Sequence, residues 1–181
     1  EARTYTATEV ACASRDSTMK NIPLFLRSAQ GWLAREPDGH VLMCGAGMSP
    51  DNLGLDADIT VAFGADRGLA DRIHLLGVRH DMERVYAAAD VVALTSSWGE
   101  AAPLCLVEGM MCGAVPVATD VGDSAAIVAG HRFVTPPDPV AIAGAWSEAV
   151  NGRDDLAPVP AGGRGRFSRP RKIAAEAGAI D

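Results

Sequence analysis

Two glutamates eight positions apart hold the most informative chemistry in this chain of 181 residues. They lie in the run Thr95-Ser96-Ser97-Trp98-Gly99-Glu100-Ala101-Ala102-Pro103-Leu104-Cys105-Leu106-Val107-Glu108-Gly109. Glu100 sits just past an apolar, strand-like segment. Glu108 falls inside the helix that the chain enters at Pro103. A carboxylate in a loop beyond a strand can accept hydrogen bonds from sugar hydroxyls. A second, about one and a half turns into a helix, can accept from a vicinal diol, because it has two acceptor oxygens and no proton to give. Between them, reached through Ala102 and Pro103, the first backbone N–H groups of the helix near Leu104 and Cys105 lack intrahelical partners and form a natural anion site. The alternative for Glu108 is a surface glutamate. Its neighbours Leu104, Leu106, Val107, Met110 and Met111 make the helix apolar on most sides, so Glu108 is expected to be buried with partners or to line a site.

The segments that must position these groups alternate in type. The pattern predicts strands over 6–14, 40–44, 72–77, 91–95, 115–119 and 132–134. It predicts helices over 21–34 (capped by Asn21, with Pro23 near the first turn), 81–89 (capped by Asp81), 103–112, 124–129 and 140–151, and a weaker helix over 50–63. Short apolar strands separated by helices of roughly ten residues imply right-handed βαβ units. Strands apolar on both faces suit a parallel sheet covered by helices. The expected fold is therefore α/β, a doubly wound Rossmann-like parallel sheet, in which ligands bind beyond the carboxyl ends of the strands. Each candidate residue falls at such an end or at a helix start. Residues 1–151 are expected to form the ligand-binding domain, and 152–181 a loose connector followed by a helix over 170–179. Gly45-Ala46-Gly47 closes the second strand. It is not a dinucleotide fingerprint, because Pro50 stands where a third small residue is needed and no acidic residue follows at the next strand end; it reads as a tight turn.

The string from Glu100 to Gly122 resembles the family of retaining, nucleotide-sugar-dependent glycosyltransferases of the two-domain B-type fold (glycosyl transferases group 1, family 4). Glu100 and Glu108 match its E-x7-E signature, and Gly113, Pro116, Val117, Ala118, Thr119, Asp120 and Gly122 continue the match. The resemblance covers residues 12–151 and implies the donor-binding C-terminal half of such an enzyme. Arg15 and Lys20 resemble the family's Arg and Lys after the first strand, which implies that they bind the donor diphosphate. Two cations at a strand-to-helix loop can neutralise a leaving diphosphate. With Glu100 they make the implied catalytic set. Glu108, Ala102, Pro103, Leu104 and Cys105 are implied on the nucleotide and sugar. The segment from Leu75 to Met82 implies backbone contacts to the base near Val78 and Arg79, and Gly45 and Gly47 are implied at the cleft. The resemblance further implies a UDP- or GDP-linked donor, no cofactor, a metal-independent front-face displacement, and a sugar or lipid-linked acceptor held by an N-terminal domain missing from this sequence. Asp123 departs from the family, standing where many members have a second glycine. The segment 167–181 lacks the aromatic residues expected in a helix that packs back on the other domain.

Two other readings use the same residues: a stand-alone nucleotide or nucleotide-sugar binding module, and a sugar-nucleotide epimerase of similar architecture. The Arg15, Lys20, Glu100 and Glu108 combination favours the transferase. A flavodoxin-like or receiver-like domain does not account for the long match. The net charge of -7 argues against a general nucleic-acid binder. The cysteines form no C-x-x-C pair and the histidines no H-x-x-x-H spacing, so no metal site is expected. No run of about 18 apolar residues is present, so no membrane span is expected. A cytoplasmic location is expected, with the Arg-rich stretch from Arg164 to Lys172 as a candidate peripheral contact with the inner membrane face.

Overall fold

The strand segments are apolar in both phases of their alternation, and the structure uses both. The computed structural model describes residues 8–64, 66–128 and 133–153. Six strands, β1 (Thr8–Ala13), β2 (Gly39–Cys44), β3 (Ile73–Gly77), β4 (Val91–Leu94), β5 (Val115–Thr119) and β6 (Val134–Thr135), form one parallel sheet in the order β3-β2-β1-β4-β5-β6. The helices are α1 (Ile22–Leu33), α2 (Leu53–Phe63), α3 (Arg67–Ala70), α4 (Met82–Ala88), α5 (Leu104–Met111), α6 (Ser124–Ile127) and α7 (Pro139–Asn151). Val10, Cys12, Val41, Met43, Val91, Ala93, Val115 and Val117 face one layer, where Phe25 and Trp32 of α1 meet Ile142 and Trp146 of α7. Ala11, Leu42, Val92 and Leu94 face the other, against Val85 and Tyr86 of α4 and Leu106 of α5. Helices on both faces make the fold doubly wound, as expected. The order also differs from that of flavodoxin-like sheets, in which β1 and β3 are neighbours.

The sheet has a topological switch point between β1 and β4, where the chain first winds one way and then the other. Pairing there is short: Val10 with Val91 and Ala11 with Val92. By contrast, β1 pairs with β2 over the whole run from Thr8–Gly39 to Ala13–Cys44. The two halves are joined over one face by aromatic packing. The Trp146 ring lies 5.1 Å from Phe25 and 6.1 Å from Trp32, the latter edge-on.

Most helix starts follow from their caps. Asn21 accepts from the Leu24 N–H at 3.1 Å, as expected for α1. Asn52 caps α2, so that helix begins at Leu53 and not at Pro50. Asp138 caps α7, accepting from the Ala141 N–H at 2.8 Å. Asp81 occupies the cap position of α4, but its side chain makes no cap hydrogen bond; Arg79 takes it instead. Two elements escape the sequence pattern, a 3-10 turn over Thr18–Lys20 and the four-residue α3, which Asp66 caps through the Leu69 N–H. Thr6, Arg132 and the connector and helix expected over 152–181 lie wholly or almost wholly outside the described residues. No helix among the described residues is long and apolar enough to cross a membrane.

His40 and His74 meet on neighbouring strands at the β3 edge, with Nδ1 and Nε2 2.9 Å apart and the rings stacked at 5.1 Å. Burial holds both below the ordinary value of 6.5. His74 and Arg72 push His40 further down, against a raising effect of Asp38. Lowered folded values mean that the unfolded chain binds more protons as the pH falls. The pair's contribution is therefore complete above the unfolded value and is lost as pH falls below it, through the folded values. The urea midpoint is expected to drop between about pH 7.5 and about pH 5.5, and to drop less in His74→Leu. Equal drops in the two proteins would contradict this.

Candidate functional site

The loops at the carboxyl ends of β1 and β4 flank the switch point, and each delivers a charge to it. After β1 the 3-10 turn ends on Lys20. Its Nζ lies 2.5 Å from Glu100 Oε1, in the loop after β4. The same Glu100 oxygen accepts from the Ser96 hydroxyl. Glu100 is 8% exposed, so the pair is withdrawn from water and its geometry is held from several sides. The Thr119 hydroxyl of β5 donates to Ser96 O at 2.7 Å, the Asn21 amide to Ser97 Oγ at 2.8 Å, and the Ser97 N–H to Met19 O at 2.8 Å. From the β5 side, the Asp123 N–H reaches Glu100 O at 3.2 Å. Glu100 Oε1 is thus occupied by Lys20 and Ser96. Its second oxygen has capacity for a further donor.

The glycine turn lies beside the β1 loop. The Asp16 N–H donates to Ala46 O at 2.8 Å, and Asn52 binds both Asp16 Oδ2 at 2.9 Å and Gly47 O at 2.7 Å. Gly45 has φ +135, and a Cβ there would overlap the Ser14 carbonyl. Only glycine lets the two loops approach this closely. Arg15, between Ser14 and Asp16, is exposed. The β3 loop is tied to the same turn, because Gly45 N–H donates to Gly77 O and Gly77 N–H to Met48 O, both at 2.7 Å. That places exposed Val78 and half-buried Arg79 on the rim. Arg79 is bidentate to Asp81, Nε to Oδ1 at 2.8 Å and Nη2 to Oδ2 at 2.7 Å. This pairing holds the Asp81 carboxyl below its ordinary range.

The last wall is α5. It begins at Leu104, with buried Pro103 as the residue before it rather than in its first turn. The Leu106 N–H is bonded to Pro103 O at 3.1 Å. The amides of Leu104 and Cys105 precede it at the helix end, where the macrodipole is positive. Ala102 and Leu104 are exposed. Cys105 is half-buried, and burial pushes its thiol up to about 11. Glu108 departs from the expectation of burial. It is exposed, because α5 turns Leu106 and Gly109 inward and leaves Leu104 and Met111 in solvent. It does have a partner: the Tyr86 hydroxyl donates to Glu108 Oε2 at 3.0 Å.

All twelve candidate residues therefore lie along the carboxyl edge of the sheet or one turn below it. Lys20 and Glu100 are in contact. Gly45 and Gly47 border Arg15's loop. Glu108 stands apart, on the α4 side. Ser96, Tyr86 and Asn52 are absent from the sequence-based set. A buried tyrosine hydroxyl needs a partner, and that need was the available signal for Tyr86. Ser96 and Asn52 carried no signal beyond being polar at strand and helix ends.

An open parallel sheet of this order, with a charged pair at its switch point and a helix amino end beside it, is a doubly wound α/β domain, a class whose members bind ligands beyond the carboxyl ends of the strands. The sequence model of the family described as glycosyl transferases group 1 matches residues 7–151, and the chain belongs to that family. A D-inositol 3-phosphate glycosyltransferase of Mycobacterium sp. (strain KMS) is 36% identical over 136 residues, which is 68% of this chain and 29% of that protein. The lipopolysaccharide core biosynthesis mannosyltransferase LpsB of Rhizobium meliloti (strain 1021) is 30% identical over 176 residues, 94% of this chain and 49% of its own length. Among solved structures, Anabaena HepE in complex with UDP and glucose superimposes with a TM-score of 0.67 at 25% identity, over 98% of this chain and 49% of the other. This chain thus spans less than half the length of these relatives.

Proposed function

We propose that this chain is the donor-binding half of a retaining glycosyltransferase, which moves a sugar from a nucleoside diphosphate to an acceptor held by a second, N-terminal domain. The observation that carries this reading is the buried Lys20–Glu100 pair at the switch point, inside the family of glycosyl transferases group 1. In this reading the bond between the anomeric carbon and the diphosphate oxygen breaks while the acceptor hydroxyl oxygen bonds on the same face, and the hydroxyl proton passes to the departing diphosphate oxygen. Arg15, Lys20 and the amides of Leu104 and Cys105 stabilise the leaving diphosphate. Glu100 orients the sugar through its free oxygen, Glu108 receives the ribose, and backbone near Val78 and Arg79 meets the base. With those cations in place the reaction needs no metal. The acceptor, a sugar or lipid-linked chain, the cytoplasmic location and the contact with the inner membrane face belong to the same proposal and rest on sequence. The basic stretch behind the membrane contact lies outside the described residues.

Calorimetric titration of the chain with UDP, GDP and ADP, with and without magnesium, tests the donor site. Saturable binding of one diphosphate is expected, unchanged by magnesium and weakened about tenfold or more in Arg15→Ala and in Glu108→Ala, as for loss of a charged hydrogen-bonding partner. Both side chains are exposed; Arg15→Ala should leave stability unchanged, and Glu108→Ala, which unpairs the buried Tyr86 hydroxyl, should cost about 1–3 kcal/mol. If none of the three diphosphates binds, or if binding requires magnesium, the reading is wrong.

A further inference from the structure

A carboxylate that receives a vicinal diol must present two acceptor positions in one fixed orientation, and an exposed glutamate on a helix does not hold one unaided. Its three side-chain torsions are free in water and would have to be frozen on binding. Glu108 is exposed, yet its Oε2 accepts from the Tyr86 hydroxyl at 3.0 Å. Tyr86 is only 3% exposed and belongs to the core layer that Ala11 and Val92 of the sheet share with Val85 of α4 and Leu106 of α5. A side chain locked in the core thus holds one that stands in solvent. Burial, reinforced by Cys105 and by Glu108 itself, raises the Tyr86 pKa above its ordinary 10, so the hydroxyl keeps its proton and acts as a donor throughout the neutral range.

We propose that Tyr86 is a positioning residue that fixes the Glu108 carboxylate for the two hydroxyls of a ribose, and so sets a preference for ribonucleoside over 2′-deoxyribonucleoside diphosphates without touching the ligand. The proposal rests on the reading of Glu108 as the ribose acceptor. Tyr86 occupies one lone pair of Oε2. Oε1 and the remaining lone pair of Oε2 then form the open edge of the carboxylate, which suits two neighbouring hydroxyl donors. Helical side chains lean toward the amino end of their helix, which directs this edge toward the rim where the Leu104 and Cys105 amides lie. A 2′-deoxyribose supplies one donor fewer and leaves one acceptor position unfilled.

The test compares binding of the tightest of UDP, GDP and ADP with binding of its 2′-deoxy form, by calorimetry on the whole chain. Wild type is expected to prefer the ribose form by about tenfold or more, the scale of a hydrogen bond to a charged group. Tyr86→Phe removes one oxygen and keeps the packing. It is expected to shrink the preference to about threefold or less, by weakening the ribose form and leaving the deoxy form within about twofold. In a Glu108→Ala background, adding Tyr86→Phe should change neither affinity. Glu108→Asp, which keeps the charge but withdraws it from the tyrosine by one methylene, should lose most of the preference and gives an answer independent of any variant at Tyr86. If Tyr86→Phe or Glu108→Asp keeps the full preference while Glu108→Ala loses it, Tyr86 has no positioning role, and the reading of Glu108 stands. If Glu108→Ala itself keeps the preference, the ribose reading of Glu108 falls and the proposal with it. Absence of binding by any diphosphate overturns the function proposed for the whole domain.

Discussion

Replacing Lys20 with alanine is expected to destabilise the fold by about 3 kcal/mol, well beyond the usual effect of losing an ion pair. Exposed pairs contribute about 0–1 kcal/mol, because water screens them and two long side chains must be ordered. This pair differs in burial: its side chains are 14% and 5% exposed, with Nζ 2.5 Å from Oε1. Removing Lys20 leaves the Glu100 carboxylate withdrawn from water beside the Ser96 hydroxyl, and the cost is that of an uncompensated buried charge. Lys20→Met combined with Glu100→Gln removes both charges and should recover most of the loss, whereas either change to alanine alone should not. Urea denaturation of the three variants measures this. A Lys20→Ala protein within about 1 kcal/mol of wild type would mean that the pair is effectively solvated.

Gly122→Ala is expected to be at least as severe, roughly 4 kcal/mol, and to abolish donor binding with it. Gly122 has φ +56, and a Cβ there would overlap the Glu100 carbonyl oxygen and lie 2.6 Å from its carbonyl carbon. The obstacle is backbone, so no side-chain rotation relieves it. Either the β5 loop swings away or Glu100 is pushed off Lys20. Gly113 separates the two contributions. Its φ is +94, but nothing lies within 4 Å of a Cβ there. Gly113→Ala should therefore cost only about 1–2 kcal/mol, the backbone penalty alone. Urea or thermal melts of the two variants, with the donor titration repeated on each, make the comparison. Equal losses at the two positions would show that the contact with Glu100 is unimportant.

The fold was legible because the strands are short, apolar and bounded by turns, and because the first helix between them carries the cap Asn21; the cap of α7, Asp138, was read only as part of a turn. What the pattern did not contain were elements too short to have a period, the Thr18–Lys20 turn and α3. The charged part of the site was legible for a different reason. A doubly wound sheet gathers whatever follows each strand at one edge, so Lys20 and Glu100 converge although 80 residues separate them. Orientation was not legible. Apolar neighbours suggested burial for Glu108, but its helix rests on Leu106 and Gly109, and which side faces the sheet depends on packing that sequence neighbours do not report. Asp81 was expected as a cap and became a partner for Arg79, because a bidentate guanidinium competes better than a backbone amide for the same carboxylate.

The short ladder between β1 and β4 has a consequence for anyone wishing to change what the domain binds. The positions proposed for the base, Val78 and Arg79, hang from the β3-β2-β1 half. Those proposed for the sugar, Glu100 and Ala102, hang from the β4-β5-β6 half. Only two register pairs, Val10 with Val91 and Ala11 with Val92, join the halves within the sheet. Lys20 to Glu100 and Asn21 to Ser97 also bond across this line, so effects on affinity should add for substitutions that leave those bonds in place. Libraries for a new base and for a new sugar can then be selected separately and combined, provided that Phe25, Trp32 and Trp146, which pack the halves together over one face, are left alone.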